Sequence, residues 1–225
     1  MVAETAPLEA IVFDLDGVLV DSEIWWHEVR VEWAASRGRE WTTEDSHAVM
    51  GANSPGWARI MRERLGLDPD EEPEIERAIV DGVVDRYRRE GPPVIAGAVE
   101  ATRRLAAAYP VAIASSAHAD VIRVALEMTG LDATIPIAVS SDEVEHGKPA
   151  PDVYLEAARR LRIAPERCLV VEDSLNGIRA GRAAGMVVVL VPNEHVPPAP
   201  GSAELADLVV DHLDQLDPSA VRRRA

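Results

Sequence analysis

Beyond residue 91 the chain alternates short apolar runs with amphipathic helical patterns. β-Rich apolar runs cover residues 111–114, 135–139, 168–171 and 187–191, and a weaker run covers residues 208–210. Strands that alternate with helices form right-handed crossovers, which build a parallel sheet covered by helices on both faces. The sequence therefore predicts an α/β protein with a doubly wound parallel sheet.

The part of the chain before residue 91 has a different character. Residues 8–13 form another apolar run that would join the same sheet, and Asp21 or Ser22 would cap the helix that follows. From there to about residue 89 the patterns are helical, and none indicates a strand. We predict a core domain from residues 1–21 and 92–225, and an inserted, all-helical cap domain from residues 22–91.

Composition limits the partners of this protein. With 47% apolar and 28% charged residues, the chain lies within the range of globular proteins. The net charge of −16 argues against nucleic acid, whose phosphates are bound chiefly by Lys and Arg. The longest apolar stretches are far shorter than the ~20 residues of a membrane-spanning helix. We therefore expect neither nucleic acid nor a membrane as a partner.

Location, redox state and oligomeric state follow from simple absences in the sequence. No basic segment followed by an apolar stretch opens the chain, so we expect no signal peptide and a cytoplasmic location. Cys168 has no second cysteine to pair with, and its apolar surroundings predict a buried thiol. Because no long exposed apolar helix is evident, we expect a monomer.

Acidic residues follow two predicted strands, where parallel sheets bind their ligands. Asp14 and Asp16 follow the first strand and point to the same side of an extended chain, while Glu172 and Asp173 follow the strand at 168–171. Neighbouring carboxylates repel each other unless a cation or a shared proton compensates. Mg²⁺, which prefers oxygen ligands, is therefore the predicted cofactor. Asp14 would be a metal-bound nucleophile, and Asp16 the neighbouring acid and base.

Groups that can bind an anion lie at the same predicted edge of the sheet. Ser115 and Ser116 follow the strand at 111–114, where a hydroxyl and free N–H groups can hold an anion. Lys148 supplies a positive charge, without which Asp14 would repel phosphate oxygens. Asn176, just inside the next helix, would orient the acidic pair.

Each of these features has a simpler explanation when taken alone. The first acidic pair can be a turn with a helix cap, Ser115 a cap, Lys148 a surface charge, and the second pair a solvated loop. A calcium loop is excluded, because it needs Gly at its sixth position and Glu at its twelfth, whereas Gly17 is fourth and Trp25 is twelfth. The occurrence of all four features at strand ends argues against coincidence.

Together the motifs resemble the haloacid dehalogenase superfamily, and more narrowly its β-phosphoglucomutase-like phosphatases. The resemblance covers almost the whole chain, and the four motifs occur in the family's order. It implies a Rossmann-like core, a helical cap inserted after the first strand, and hydrolysis of a small phosphorylated metabolite. The motifs are Phe13-Asp14-Leu15-Asp16-Gly17-Val18, the apolar run into Ser115, Gly147-Lys148-Pro149-Ala150-Pro151-Asp152, and Val171-Glu172-Asp173-Ser174-Leu175-Asn176-Gly177.

The resemblance also implies a role for each acidic residue. Asp14 would attack phosphorus to form an aspartyl phosphate, while Asp16 would protonate the leaving oxygen and later deprotonate the hydrolytic water. Mg²⁺ would be bound by the Asp14 carboxylate, the Asp16 backbone carbonyl and Asp173. Glu172 would bind it directly or through water.

The phosphate group would be held by residues from two further motifs. By the same resemblance, its non-bridging oxygens would be bound by Ser115, the N–H of Ser116 and Lys148. The peptide bond between Lys148 and Pro149 would be cis, which would aim the ammonium group into the site.

Several activities compete within this superfamily. Asp16 argues against a dehalogenase, and the absence of lysine from residues 23–91 argues against a phosphonatase, which uses a cap lysine. By the same resemblance, the mutases carry a histidine where Trp26 stands here, and basic residues where Met50-Gly51 and Asn53-Ser54 stand. The residues that would bind a second phosphate are therefore missing. We therefore predict hydrolysis, with a β-phosphoglucomutase-type mutase as the alternative and a catalytically silent binding protein as the third hypothesis.

The cap is expected to select the substrate. Trp26, His27, Gly51 and Trp57 would approach the core site from the cap, and His118 from the other side. The tryptophans also fall on helical patterns, so an alternative role in the cap's own core stays open. Aromatic groups and few charges would suit an uncharged tail. A sugar or polyol monophosphate, with a deoxyhexose phosphate as one candidate, is the predicted substrate.

Overall fold

The computed structural model describes residues 7–222, within which six parallel strands form one sheet. The strand order is β3-β2-β1-β4-β5-β6, so the chain builds outward from β1 on one side and then crosses to β4 on the other. Ligands of doubly wound sheets bind at such a reversal, beyond the carboxyl ends of the strands. The predicted sheet is confirmed. The strands are β1 (Ala10–Phe13), β2 (Val111–Ser115), β3 (Ala138–Ser140), β4 (Cys168–Glu172), β5 (Val187–Leu190) and β6 (Leu208–Val209).

A block of helices lies between β1 and β2 along the chain. The helices are α1 (Glu23–Ser36), α2 (Thr43–Val49), α3 (Ser54–Leu65) and α4 (Glu72–Glu90). The sequence patterns did not predict α2, which is too short to show apolar periodicity, although its capping box of Thr42 and Asp45 is a recognisable start signal. The predicted domain boundaries fall beside this block and stay a prediction.

The remaining helices cover both faces of the sheet. They are α5 (Ala98–Ala106), α6 (Ala119–Thr129), α7 (Asp152–Leu161), α8 (Leu175–Ala183) and α9 (Ser202–Leu205). The strand predicted at 135–139 is shorter than expected, because Pro136 has no N–H to donate to a neighbouring strand. Within residues 7–222, no helix combines the length and hydropathy that a bilayer crossing requires. The expectation of no signal peptide rests partly on residues 1–6, which lie outside the described range.

Alternate residues of β1 pack on opposite faces of the sheet. Ala10 and Val12 join an apolar cluster on one face, whereas Ile11 and Phe13 join a larger cluster on the other. The larger cluster continues through the helical block and includes its buried tryptophans, Trp26, Trp41 and Trp57. The block and the sheet therefore share one apolar core.

Candidate active site

Lys148 lies between two carboxylates at the switch point of the sheet. Its Nζ is 2.8 Å from Oδ1 of Asp14, which follows β1, and 2.7 Å from Oε1 of Glu172, which ends β4. Lys148 is the chain's single lysine and is buried. Burial lowers the pKa of Lys148, but the two carboxylates outweigh that effect and raise it above its ordinary value. The Lys148–Pro149 peptide bond is cis, as the resemblance implies.

Glu172 is completely buried and is held by several donors. Oε1 accepts from Lys148 and the Tyr154 hydroxyl, while Oε2 accepts from the N–H groups of Asp173 and Ser174 and from the Ser174 hydroxyl. Burial alone would raise the pKa of Glu172, but Lys148 and these donors lower it below its ordinary range.

A glycine leaves the room that Glu172 occupies. A Cβ on Gly177, in the first turn of α8, would lie 1.6 Å from Oε1 of Glu172. No side chain larger than hydrogen fits there without displacing the carboxylate. The glycine at this position thus lets β4 and α8 bring Glu172 under Lys148.

Three carboxylates gather beside Lys148. One ligand oxygen from each of Asp14, Glu172 and Asp173 lies within 4.8 Å of the others. Burial raises the pKa of Asp14 to about 7 although Lys148 opposes it, and burial with Glu172 and Asp14 nearby raises the pKa of Asp173 well above its ordinary value. One lysine does not balance this charge, and hard oxygen ligands suit a divalent cation. The cluster therefore fits a metal site.

Gly17 brings the first motif close to Asp173. Its φ of +83° is a conformation that residues with a Cβ rarely adopt, and a Cβ there would lie 2.0 Å from Oδ2 of Asp173. The turn after β1 thus needs glycine both for its backbone and for the approach of the β4 carboxylate.

Asp16 lies beside the cluster and has a different partner. The Ser22 hydroxyl donates to its Oδ1. Burial raises the pKa of Asp16, while the Ser22 hydroxyl and the Trp26 indole lower it. Ser22 stands at the N-cap position of α1, as predicted. Its side chain, however, makes no capping hydrogen bond, so the prediction that Ser22 caps the helix is wrong. Asp21 does not cap α1 either; it accepts from Asn193.

A cleft of about 420 Å³ opens above these groups, and we call it the active-site cleft. Ser115 is buried at the end of β2, where its hydroxyl accepts from the N–H of Ala117. The cap reaches the rim of the cleft, since the Ser116 hydroxyl donates to the Gly51 carbonyl (3.3 Å) and the Ser54 N–H donates to the Asp142 carboxylate (2.7 Å). Its lining includes Asp14, Asp16, Ser115, Ser116, Lys148, Asp173 and Asn176, with residues 196–199.

Asn176 lines the cleft but does not bind the acidic pair. Within residues 7–222 no hydrogen bond joins it to Glu172 or Asp173, and its amide lies beside Gly51. The donors that orient Glu172 include Tyr154 and Ser174, and the sequence predicted this role for neither of them. Ser174 follows Glu172 by two residues, a spacing at which a hydroxyl often bonds a neighbouring group.

The cleft adjoins a smaller space of about 50 Å³ between the helical block and the core, which we call the inner cavity. Trp26 and Trp57 line it and pack edge to face with their ring centroids 6.2 Å apart. Gly51 lines both the inner cavity and the cleft. Trp26, Trp57 and Gly51 therefore lie at the cleft or directly beside it, and their contact with a substrate stays a prediction.

Both histidines predicted at the substrate lie elsewhere. The Nδ1 atom of His27 is 2.8 Å from the Ser46 hydroxyl, so His27 joins α1 to α2. His118 accepts from the Asp120 N–H and caps α6. Neither lines the cleft or the inner cavity. Their predicted places are corrected, because each ring nitrogen is used in local packing.

Two charged residues of the inner cavity were not predicted. Glu23 and Arg30 lie seven residues apart on α1 and line the cavity together with Trp26. The spacings i, i+3 and i+7 put all three on one helical face. That pattern was visible in the sequence, but charged positions on a helix are ordinarily solvent-exposed, so they carried no signal.

The fold and the grouped carboxylates define a class: a doubly wound α/β core with a cluster of acidic side chains at its switch point. A family model described as haloacid dehalogenase-like hydrolase matches residues 8–185. The chain therefore belongs to this family.

Curated relatives include several phosphatases. The chain is 31% identical to the fructose-1-phosphate phosphatase YqaB of Escherichia coli, over 80% of this chain and 94% of that protein. It is 30% identical to the phosphorylated carbohydrates phosphatase of Thermotoga maritima, over 80% and 82%. The match to the bifunctional riboflavin kinase/FMN phosphatase of Arabidopsis thaliana, at 30% identity, covers 81% of this chain but only 48% of that longer protein. Each of these three relatives is named as a phosphatase.

Solved structures share the fold. CbbY from Rhodobacter sphaeroides, in complex with phosphate, matches with a TM-score of 0.78 and 25% identity over 92% of this chain and 96% of that one. A β-phosphoglucomutase from Clostridium difficile matches with a TM-score of 0.79 over 93% of each chain, and at 21% identity it supports the fold alone.

Proposed function

We propose that this protein is a Mg²⁺-dependent phosphatase that hydrolyses a sugar or polyol monophosphate through an aspartyl phosphate on Asp14. One observation carries the proposal: Lys148 lies 2.8 Å from Asp14 and 2.7 Å from Glu172 at the floor of an open cleft. A nucleophilic carboxylate beside a fixed cation suits an incoming phosphoryl group, whose transfer depends on positioning and charge neutralisation.

Two carboxyl groups divide the chemistry. Asp14 forms a bond to phosphorus while the ester oxygen leaves and takes a proton from Asp16. A water molecule then attacks phosphorus, gives its proton to Asp16, and releases inorganic phosphate and free Asp14. The buried position of Asp16, which raises its pKa, supports a protonated form that can act as the acid.

Three further residues position the phosphate. Ser115, the N–H of Ser116 and Lys148 would bind the oxygens that do not react, and all three residues line the cleft. The ammonium group offsets charge that would otherwise be repelled by the carboxylates of the cleft.

The acidic cluster is suited to hold the cation. Asp14, Asp173 and the backbone carbonyl of Asp16 are the proposed ligands. Glu172 would act through water, because five donors already occupy its two oxygens. Bound Mg²⁺ would neutralise charge that develops on the phosphoryl group.

Phosphate release from p-nitrophenyl phosphate tests the proposal. We expect turnover with Mg²⁺, none with EDTA, and a loss of about 10⁴-fold or more in Asp14→Asn, because a nucleophile is removed. Asp85→Asn, an exposed change on α4, serves as the matched control and should keep full activity. A silent binding protein would show no turnover in any of these samples.

The mutase alternative is separated by its product. Given β-glucose 1-phosphate and a bisphosphate activator, a phosphatase releases free phosphate faster than it forms glucose 6-phosphate. The opposite ratio would make the chain a mutase.

A cytoplasmic location and a monomeric state stay predictions from the sequence.

A further inference from the structure

Arg30 is a buried cation without an acceptor. Its side chain lies on α1 with 6% of the residue exposed, and within residues 7–222 it donates no hydrogen bond and forms no ion pair. Its Nε is fully buried and unpaired. A buried donor without an acceptor is energetically costly, and more so when it is charged. Such a cost points to a partner that is absent from the free protein.

The other arginines stacked on tryptophans are paired. Arg86 lies 4.7 Å from the Trp25 ring and pairs with Glu28, and Arg37 lies 5.0 Å from the Trp33 ring and pairs with Glu71 and Glu74. Among the three tryptophan-stacked arginines of the described chain, Arg30 is therefore the exception. It is also the one that lines the inner cavity.

Aromatic contacts hold Arg30 in place. Its Cζ is 5.2 Å from the centroid of the Trp26 ring and 5.5 Å from that of Trp57. Stacking on two rings restricts the guanidinium group, so little side-chain freedom remains to be lost when a ligand binds. Arg30 is pre-organised to donate into the cavity.

Carboxylates in the same cavity limit what the ligand can be. Glu23 lies two helical turns before Arg30 on the same face, and Asp16 forms another part of the lining. A carboxylate or a second phosphate in the tail would meet the acidic group of Glu23. Neighbouring hydroxyl groups would accept from Arg30 and donate to Glu23. The volume of about 50 Å³ corresponds to only three or four water-sized groups, at ~15 Å³ each.

We propose that Arg30 and Glu23 are specificity-determining residues that select phosphate esters whose tail ends in neighbouring uncharged hydroxyl groups and that disfavour a second anionic group. This inference rests on the proposed function, since it assigns the tail of a substrate whose phosphate lies at Asp14. The inner cavity and the active-site cleft have five lining residues in common, which gives the tail a continuous path: Asp16, Glu23, Met50, Gly51 and Ser116.

Kinetics on two substrates test the role of Arg30. Sorbitol 6-phosphate carries the hydroxyl tail, and p-nitrophenyl phosphate lacks it. In Arg30→Met we expect kcat/KM for sorbitol 6-phosphate to fall about 10- to 100-fold, mainly through KM, because a hydrogen bond from a charged donor is lost. For p-nitrophenyl phosphate it should change less than about threefold. An equal loss on both substrates would overturn the proposal.

A matched variant controls for packing. Arg86→Met removes a stacked arginine from the neighbouring tryptophan outside the cavity, and should leave the ratio of the two substrates unchanged. Arg30→Lys keeps the charge but not the forked donors, so its loss should lie between those of wild type and Arg30→Met. A shifted substrate ratio in Arg86→Met would show that packing alone sets the preference and would contradict the proposal.

A further test uses only the wild-type enzyme, so its result does not depend on whether a variant folds. We expect at least about tenfold higher kcat/KM for sorbitol 6-phosphate than for 6-phosphogluconate, which bears a carboxylate. In Glu23→Gln, the difference in kcat/KM between the two substrates should be smaller than in wild type. A wild-type preference for 6-phosphogluconate would overturn the specificity proposal while leaving the phosphatase proposal intact. Failure to hydrolyse even p-nitrophenyl phosphate would instead sink the proposed function itself.

Discussion

The core site and the inner cavity of the cap treat their buried charges in opposite ways. In the core, Lys148 contacts two carboxylates and Glu172 accepts five hydrogen bonds. In the cap, Arg30 is buried with no acceptor, and Glu23 lies in the same cavity without an ion pair in the described chain. Lys148 and Glu172 are thus positioned before a ligand arrives, whereas Arg30 is left for a ligand to satisfy.

This difference suggests a division of labour. Catalytic groups act best when they are already positioned, because reorganisation adds to the barrier. Specificity groups can stay unsatisfied, since the correct tail then gains what an incorrect tail cannot. If the contrast is real, changes in the core should cost both stability and turnover, and changes in the cap should act on stability or selectivity alone.

In the comparison of core with cap, the largest expected effect on turnover comes from a methyl group added in the core. Gly177→Ala would place a Cβ 1.6 Å from Oε1 of Glu172, so the carboxylate must leave its position. We expect kcat to fall about 100-fold, as for other small misplacements in active sites, and the protein to lose about 1–3 kcal/mol of stability. Steady-state kinetics and urea unfolding measure the two effects.

A glycine of the cap provides the comparison. In Gly82→Ala the new Cβ would meet Cγ1 of Val29 at 2.6 Å, which is the end of an apolar side chain. Helix propensity offsets part of the crowding by about 1 kcal/mol. Turnover should therefore be retained. A loss of kcat in Gly82→Ala as large as that in Gly177→Ala would break the contrast between core and cap.

The next effect concerns ion pairs. Lys148→Met leaves Asp14 and Glu172 buried without their cation, and breaking a buried pair costs about 3–5 kcal/mol. Arg37→Met removes a partly exposed pair of the cap with Glu71, which is worth about 1 kcal/mol or less. Urea titrations at pH 8 should rank the variants in that order, and equal losses would contradict it.

A smaller effect is the pH dependence caused by Glu23. Burial and repulsion from Asp16 and Asp21 raise the pKa of Glu23 from 4.5 to about 7, although attraction from Arg30 opposes the shift. The folded protein therefore holds this proton to higher pH than the unfolded chain does, so stability falls as the pH rises from about 4.5 to about 7. At pH 8, Glu23→Gln should melt at a higher temperature than wild type, by about 2–4 °C for each kcal/mol of stability regained. At pH 4 the variant and wild type should melt at the same temperature.

A matched control for this prediction lies on the same helix. Glu32 is exposed on α1, so Glu32→Gln should leave the melting temperature nearly unchanged at both pH values. If Glu23→Gln were less stable than wild type at pH 8, the Glu23 carboxylate would be favourably paired in the free protein, and the cap would be satisfied like the core.

The smallest expected difference is between two probes of unfolding. All five tryptophans lie within residues 22–91, and Cys168 is buried in β4, where burial raises the pKa of its thiol to about 11. Since one apolar cluster joins the cap to the sheet, tryptophan fluorescence and thiol labelling should report the same urea midpoint. Separate midpoints would show that the cap unfolds independently.

Much of the fold and of the core site was predictable because the signals are local. Apolar runs show where strands end, and the ends of parallel strands meet at one edge of a sheet. That rule placed Asp14 and Glu172 near one another, and the family's motif order added Lys148. The partners of Glu172 were less predictable, because Tyr154 contributes from the side of α7, and nothing in its neighbours shows where its hydroxyl points.

In the cap, too, some features were predictable from the sequence and others were not. Helical periodicity predicted most of its helices and the packing of Trp26 and Trp57, but not the roles of their neighbours. His27 follows Trp26 directly, yet it faces Ser46, whereas Arg30 faces the cavity. Which side of α1 meets the active-site cleft depends on how that helix rotates against the others.

The sequence by itself determined the class of fold, the order of its motifs and the groups available for chemistry, because these depend on periodicity and on where strands end. Only the tertiary structure decided which buried charges would be satisfied. Glu172 receives donors from three separate segments, and Arg30 receives none. Such pairings join residues far apart in the chain, so their geometry exists only once the helices have packed.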